Sequence, residues 1–165
     1  MAENAVQEVM DLEEDTQKGK FLTFSIGNEA YGIEIRHVTE IIGIQSITEV
    51  PELPGYIRGI INLRGKIIPV MDVRLRFKKP YREYNDRTCI IVVDISDLSI
   101  GLIVDSVSEV LTIPDTEIVP PPDLSRGENR YIRGIGKVGG EVKLLLECAR
   151  LLSEDETENI TQISM

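Results

Sequence analysis

Tryptophan is absent from the 165 residues, histidine occurs once and cysteine twice. One histidine, His37, cannot build a histidine-based metal site, and neither Cys89 nor Cys148 has metal-ligand spacing to it or to the other. His37 reads as a partly exposed cap residue. Both cysteines stand in apolar, strand-like runs and read as buried small apolar residues, not as a disulfide. Aromatic residues are only 5% of the chain and the formal net charge is −10. So few stacking rings and so much negative charge argue against nucleic-acid binding and against contact with anionic membranes. No apolar run approaches the ~20 residues that span a bilayer. The first twenty residues are acidic and lack an apolar core, so no secretory signal is expected and a cytoplasmic location is the default. There is no phosphate-binding G-x-x-x-x-G-K loop, no G-x-G-x-x-G opening a helix and no nucleophile elbow, and no serine has a visible histidine–acid system. Neither catalysis nor a cofactor is expected.

What is present is β structure. With 42% hydrophobic and 28% charged residues, the composition is that of a soluble globular protein. The organising stretch is Pro51 to Phe77, PELPGYIRGIINLRGKIIPVMDVRLRF. Tyr56–Leu63 and Ile67–Met71 read as two apolar strands, with Arg64-Gly65-Lys66 as the turn and Gly65 free to take a positive φ. Pro69 lacks a ladder donor and belongs at an edge or a bulge. Val73–Phe77 reads as a helical turn or hinge.

The hairpin recurs. Tyr-Ile-Arg-Gly-Ile stands at 56–60 and again at 131–135, an offset of 75, which also aligns Gly65 with Gly140, Asp72 with Glu147 and Phe77 with Leu152. Upstream, Gly32 matches Gly101, Ile35 matches Val104 and Glu40 matches Glu109 at an offset of 69. The difference falls around Pro120-Pro121-Pro122. A shared order of elements at near-constant offset indicates duplication.

In order, residues 1–18 read as a flexible acidic tail. Lys20–Ile26 and Tyr31–Ile35 read as strands around Gly27-Asn28. Val38, Ile41 and Ile42 have i, i+3, i+4 spacing, so Arg36–Ile42 reads as a helical turn, and Asp105–Val110 as its counterpart. Ile44–Val50 reads as a further strand and Lys78–Arg87 as a linker. Cys89–Val93 and Ser99–Val104 form the second unit's first hairpin. Asp123–Asn129 reads as a loop, Arg130–Leu146 as the second organising hairpin, Cys148–Leu152 as a closing helical turn, and residues 154–165 as a second acidic tail. Short, closely spaced strands predict a mainly β fold of two five-stranded barrels, sharing a core, within 19–153: a first barrel over about 19–85 and a second over about 86–153.

Contact surfaces are the expected carriers of function. A short turn on a small barrel leaves Val38 or Ile41 partly exposed. One of the neighbours Ile67 and Ile68 must point away from its own barrel, and Ile44 and Leu124 raise the same question. Arg64 at the hairpin tip is placed to pair with Glu40.

These residues resemble the CheW family, the coupling proteins of bacterial chemotaxis. The likeness rests on Tyr31-Gly32-Ile33, Val38-Thr39-Glu40-Ile41, Pro54–Gly59 and Asn62-Leu63-Arg64-Gly65 through Asp72. In the second half it rests on Gly101–Asp105, Val107–Leu111 and Pro120-Pro121-Pro122, so that it covers about Lys20 to Ser153. The resemblance implies two SH3-like barrels without catalytic activity, which bridge the cytoplasmic tips of chemoreceptors (methyl-accepting chemotaxis proteins) to the histidine kinase CheA through that kinase's regulatory domain. It implies Val38, Glu40, Ile41 and Arg64 as receptor-facing, in a groove between the barrels. It implies Ile44 and Ile67 on the first barrel, and Val119 and Leu124 on the second, as kinase-facing. The competing readings are a small-molecule-binding double barrel or an unrecognised enzyme, either needing a pocket lined by convergent polar groups.

Overall fold

Residues 18–95, 97–121 and 130–152 are described by the structure, a computed structural model. Among them the alternating apolar pattern forms eleven strands. These are β1 (Lys20–Ile26), β2 (Glu29–Glu34), β3 (Val38–Gly43), β4 (Ile57–Leu63), β5 (Lys66–Asp72), β6 (Cys89–Ile95), β7 (Leu98–Val104), β8 (Ser106–Thr112), β9 (Ile118–Val119), β10 (Ile132–Val138) and β11 (Glu141–Leu146). One short helix, α1 (Val73–Arg76), follows β5. Asp72 caps it by accepting from the Leu75 amide at 3.3 Å.

The strands form two sheets, in the orders β8-β1-β2-β11-β10-β9 and β3-β6-β7-β5-β4. The first has five full strands plus the two-residue β9, so both SH3-like units carry the expected five. The sheets do not follow the expected division into barrels over 19–85 and 86–153. Each takes its first hairpin from one half of the chain and its remaining strands from the other. Thus β1 pairs with β8, and β6 with β3.

The duplication extends to the irregularities. The β4–β5 ladder shifts register between Ile57 and Gly59, and the β10–β11 ladder between Ile132 and Gly134, the same place at an offset of 75. Parallel pairing joins Val70 to Gly101 and Leu145 to Gly32, again equivalent positions. The Asp72 amide donates to the Tyr56 carbonyl at 2.7 Å, and the Glu147 amide to the Tyr131 carbonyl at 2.8 Å.

Neighbouring strand residues point to opposite faces, and β6 uses both. Ile90 and Val92 join Ile61, Ile68, Val70 and Ile103 inside the five-stranded unit. Ile91, Val93 and Ile95 join Leu22, Phe24, Ile33 and Tyr131 in a larger core drawn from both sheets. Phe21, Ile113 and Leu145 fill the six-stranded unit. The shared core is therefore real, and it explains why the run Cys89–Val93 is apolar without alternation.

Three local expectations are corrected. Arg36–Ile42 is not a helical turn: only Ile35–His37 is helical, a single 3-10 turn, and Val38–Gly43 is strand β3. Its equivalent, Asp105–Val110, is likewise mostly strand β8. Both segments are rich in β-branched residues, which suit a pleated surface, and each finds a partner far away in sequence. Ile44–Val50 forms no strand, only one antiparallel bridge between Thr48 and Ile60. Other expectations hold. The 64–65 turn has φ of 52° and 84°, Cys148–Arg150 is a helical turn, and Pro69 has β4 as its only ladder neighbour, since the β7 pairing begins at Val70.

Candidate docking surface

Strand β3 alternates between half-buried and exposed residues. Val38 packs against the shared core, whereas Ile41 points outward and is 43% exposed. Glu40 reaches the hairpin tip, where its carboxylate accepts from Arg64 Nη2. Arg64 is 72% exposed, so it presents its charge to solvent while the pair fixes its direction.

The pair stands at the rim of a cleft of about 360 Å³ lined by Thr39, Leu63, Ile68 and Val92 among others. Across the cleft Lys66 Nζ donates to Ser99 Oγ at 2.9 Å, and Ser99 donates on to Asp94 Oδ1 at 2.9 Å. Two polar ties, Glu40–Arg64 and Lys66–Ser99–Asp94, therefore bridge strands over an apolar floor. Such ties in solvent orient side chains more than they stabilise the fold.

Of the four residues expected to face a receptor, Glu40 and Arg64 meet at this cleft, Ile41 lies on the other face of β3, and Val38 supports the strand from beneath. Ile67 and Ile68 divide as expected: Ile68 is buried and Ile67 is 37% exposed. Ile44 half-covers the core of the same five-stranded unit. Val119 lies in β9, opposite Ile135 and half-buried. Leu124 lies outside the described residues.

A second, smaller cleft of about 160 Å³ lies where α1, the β1–β2 turn and the linker meet. Several of its polar groups already pair. Arg74 Nη2 and Asp105 Oδ2 are 2.7 Å apart, and Tyr84 Oη donates to Asp72 at 2.7 Å. Burial, then that hydrogen bond to Asp72, pushes the Tyr84 phenol well above its ordinary range. Burial likewise pushes the Cys148 thiol up to about 12, which makes it a packing residue and a poor nucleophile.

A CheW-like domain family model matches residues 20–156. The chemotaxis protein CheW of Klebsiella aerogenes is 34% identical over 157 residues, covering 94% of this chain and 95% of that one. The CheW of Bacillus subtilis is 38% identical over 141 residues, covering 85% and 90%. The crystal structure of the scaffolding protein TtCheW from Thermoanaerobacter tengcongensis superposes with a TM-score of 0.78 at 38% identity, over 84% of this chain and 94% of that one. The chain belongs to the CheW family. The CheW-like match spans both sheets, so the exchanged hairpins lie within one family domain.

Sequence reasoning placed Lys66 in the hairpin turn and the CheW-type motif Asn62–Asp72 but gave it no role at a cleft, and it missed Asp94 and Ser99. A signal existed: Asp94 and Ser99 flank the β6–β7 turn and sit directly opposite each other in the ladder. Lys66, 33 residues from Ser99, had no local cue.

Proposed function

We propose that the protein is a non-catalytic adaptor of bacterial chemotaxis, working in the cytoplasm, which couples the cytoplasmic tips of chemoreceptors to the histidine kinase CheA. The observation that carries this reading is the Glu40–Arg64 pair, held at a cleft of the five-stranded unit, the unit that also exposes two isoleucines, Ile41 and Ile67. Oriented charge next to exposed aliphatic surface suits protein partners, because the apolar groups supply binding energy and the fixed charges select register. The relatives point the same way: those cited are chemotaxis proteins, and the structural neighbour is a scaffolding protein.

In this reading Glu40, Arg64 and Ile41 face the receptor's helical hairpin, with Val38 supporting β3 from the core. Ile44 and Ile67 on the five-stranded unit, and Val119 and Leu124 on the other, face the regulatory domain of the kinase. The test is co-sedimentation with a receptor cytoplasmic fragment and a CheA core, singly and together, using Arg64→Ala and Ile67→Asp. Arg64→Ala is expected to lose the receptor and keep the kinase; Ile67→Asp is expected to do the reverse. Absence of binding of the unmodified protein to both partners would overturn the proposal.

A further inference from the structure

The two units can be compared position by position at the cleft. In the five-stranded unit its charged lining is Glu40, Arg64, Lys66 and Asp94. In the other unit, at the offset of 69, Glu109 takes the place of Glu40, Ser25 that of Asp94 and Ala30 that of Ser99. At the offset of 75, Gly139 takes the place of Arg64 and Glu141 that of Lys66. The floor changes as well, with Thr23 in place of Val92 and Lys143 in place of Ile68. Yet β1–β2, β1–β8 and β10–β11 pair just as their counterparts β6–β7, β3–β6 and β4–β5 do. The fold therefore requires neither the two polar ties nor the apolar floor. What one copy of the unit has and the other lacks is available for recognition.

The two cations of the cleft are held differently. Arg64 meets the Glu40 carboxylate directly. Lys66 meets a neutral hydroxyl: its Nζ donates to Ser99 Oγ at 2.9 Å, and Ser99 donates its own proton to Asp94 Oδ1 at 2.9 Å. A hydroxyl has a single proton, so with that proton on Asp94 its lone pairs are left for the ammonium, and the chain of bonds runs one way. Lys66 is exposed and Ser99 half-buried. An ammonium has three donors, and Lys66 uses one of them among the described residues. Its direction is thus fixed while two donors stay open, in a cleft floored by Leu63, Ile68 and Val92. A carboxylate completes such a cation with charge-assisted hydrogen bonds, and an aliphatic side chain covers such a floor.

We propose, on the reading that this cleft faces a receptor, that Lys66 is a specificity-determining residue: it selects receptor segments that present a carboxylate on the same helix face as the aliphatic side chain seated on Leu63, Ile68 and Val92. Ser99 and Asp94 are positioning residues that hold the ammonium in place. Arg64, already paired with Glu40, fixes the orientation of the partner, and Lys66 discriminates among partners.

The test is titration calorimetry of the full chain with a receptor cytoplasmic fragment, at low and at high salt. Lys66→Gln is expected to weaken binding about 3–10-fold at low salt, and Lys66→Glu more than that, with both differences narrowing at high salt. Ser99→Ala is expected to weaken it about twofold and to add nothing in the Lys66→Gln background. Acids of the receptor's hairpin tip, changed to lysine one at a time, are expected to include one that restores binding to Lys66→Glu, a rescue that a purely structural role does not give. Melting temperatures are expected to stay within about 2 °C of the unmodified chain, as for other exposed polar ties. Full affinity of Lys66→Gln and Lys66→Glu, with binding lost in Arg64→Ala, would overturn the role of Lys66 and leave the adaptor reading standing. A weakened Lys66→Glu that no charge swap restores would overturn it too. Absence of receptor binding by the unmodified chain would overturn both.

Discussion

Arg74 Nη2 stands 2.7 Å from Asp105 Oδ2, joining α1 to the corner between β7 and β8. The same carboxylate accepts from the Gly27 amide at 2.7 Å, and the Asp105 amide donates to Ser25 at 3.1 Å. Asp105 thus fastens the first hairpin, which belongs to the six-stranded sheet, to the helix of the five-stranded unit. Burial alone would raise the carboxyl pKa, but the hydrogen bonds from Arg74 and Gly27 and the charges of Arg74 and Arg82 outweigh it and hold it below its ordinary value. Asp105→Asn should therefore destabilise by about 1–3 kcal/mol at neutral pH. The sign with pH follows from the depressed folded value. The stabilisation is present above the unfolded carboxyl pKa of about 3.9 and is lost as pH falls through the folded one. Urea midpoints of the two proteins should be separated at pH 7 and converge below about pH 4. A gap that does not narrow at all as pH falls below about 4 would mean that shape, not charge, matters at this site.

Glu40 and Arg64 offer a different balance. Arg64 is so exposed that water screens the pair, and a double-mutant cycle on stability should give a coupling of only ~0.2–1 kcal/mol, smaller still at high salt. A stability coupling above about 2 kcal/mol would show that the cleft is far drier than its geometry implies.

The hairpins were legible because each carries local information. Ile67-Ile68 declares a two-sided strand, and the repeated Tyr-Ile-Arg-Gly declares two equivalent ones. Strand β3 was not legible, because Val38, Ile41 and Ile42 satisfy a helical period as well as a strand. What decides is pairing with β6, some 50 residues later. The exchange of first hairpins was hidden for a related reason. Repeats at offsets of 69 and 75 state which segments are alike, not which of two like segments a strand will choose, and Leu22 pairs with Val110 across the whole middle of the chain. Of the cleft, Glu40–Arg64 could be inferred from motif and turn, whereas Lys66–Ser99 exists only once β5 and β7 have been brought together.

Tyr56 carries a buried hydroxyl with no hydrogen-bond partner among the described residues. Its ring supports Arg76. Tyr56→Phe keeps the ring and removes an unsatisfied polar atom, so stability should be unchanged or up to about 1 kcal/mol higher. A loss beyond about 1 kcal/mol in urea unfolding would reveal a partner for the hydroxyl.

Gly59 and Gly134 occupy equivalent places in the repeat, yet they should differ sharply in tolerance. Gly59 has φ +144°, and an added Cβ would lie 2.0 Å from the Thr48 carbonyl oxygen. That oxygen accepts from the Ile60 amide at 2.9 Å, and Ile60 accepts in return from Thr48 at 2.9 Å. A methyl group here meets backbone that is itself hydrogen-bonded, in a conformation that L residues rarely adopt, so Gly59→Ala must break the bridge or the bulge. Gly134 is free of that backbone constraint, and an added Cβ would meet the Ile118 Cγ2 methyl at 2.8 Å. That methyl sits on a branched Cβ and gives only if the Ile118 side chain shifts as a whole, but it is not held by a hydrogen bond as the Thr48 carbonyl is. Gly59→Ala should cost at least about 2–3 kcal/mol, through overpacking and strain together, and Gly134→Ala about 1–2. Equal urea midpoints for the two variants would show that the Thr48 segment, which forms a single bridge and no strand, gives way as easily as a side chain does.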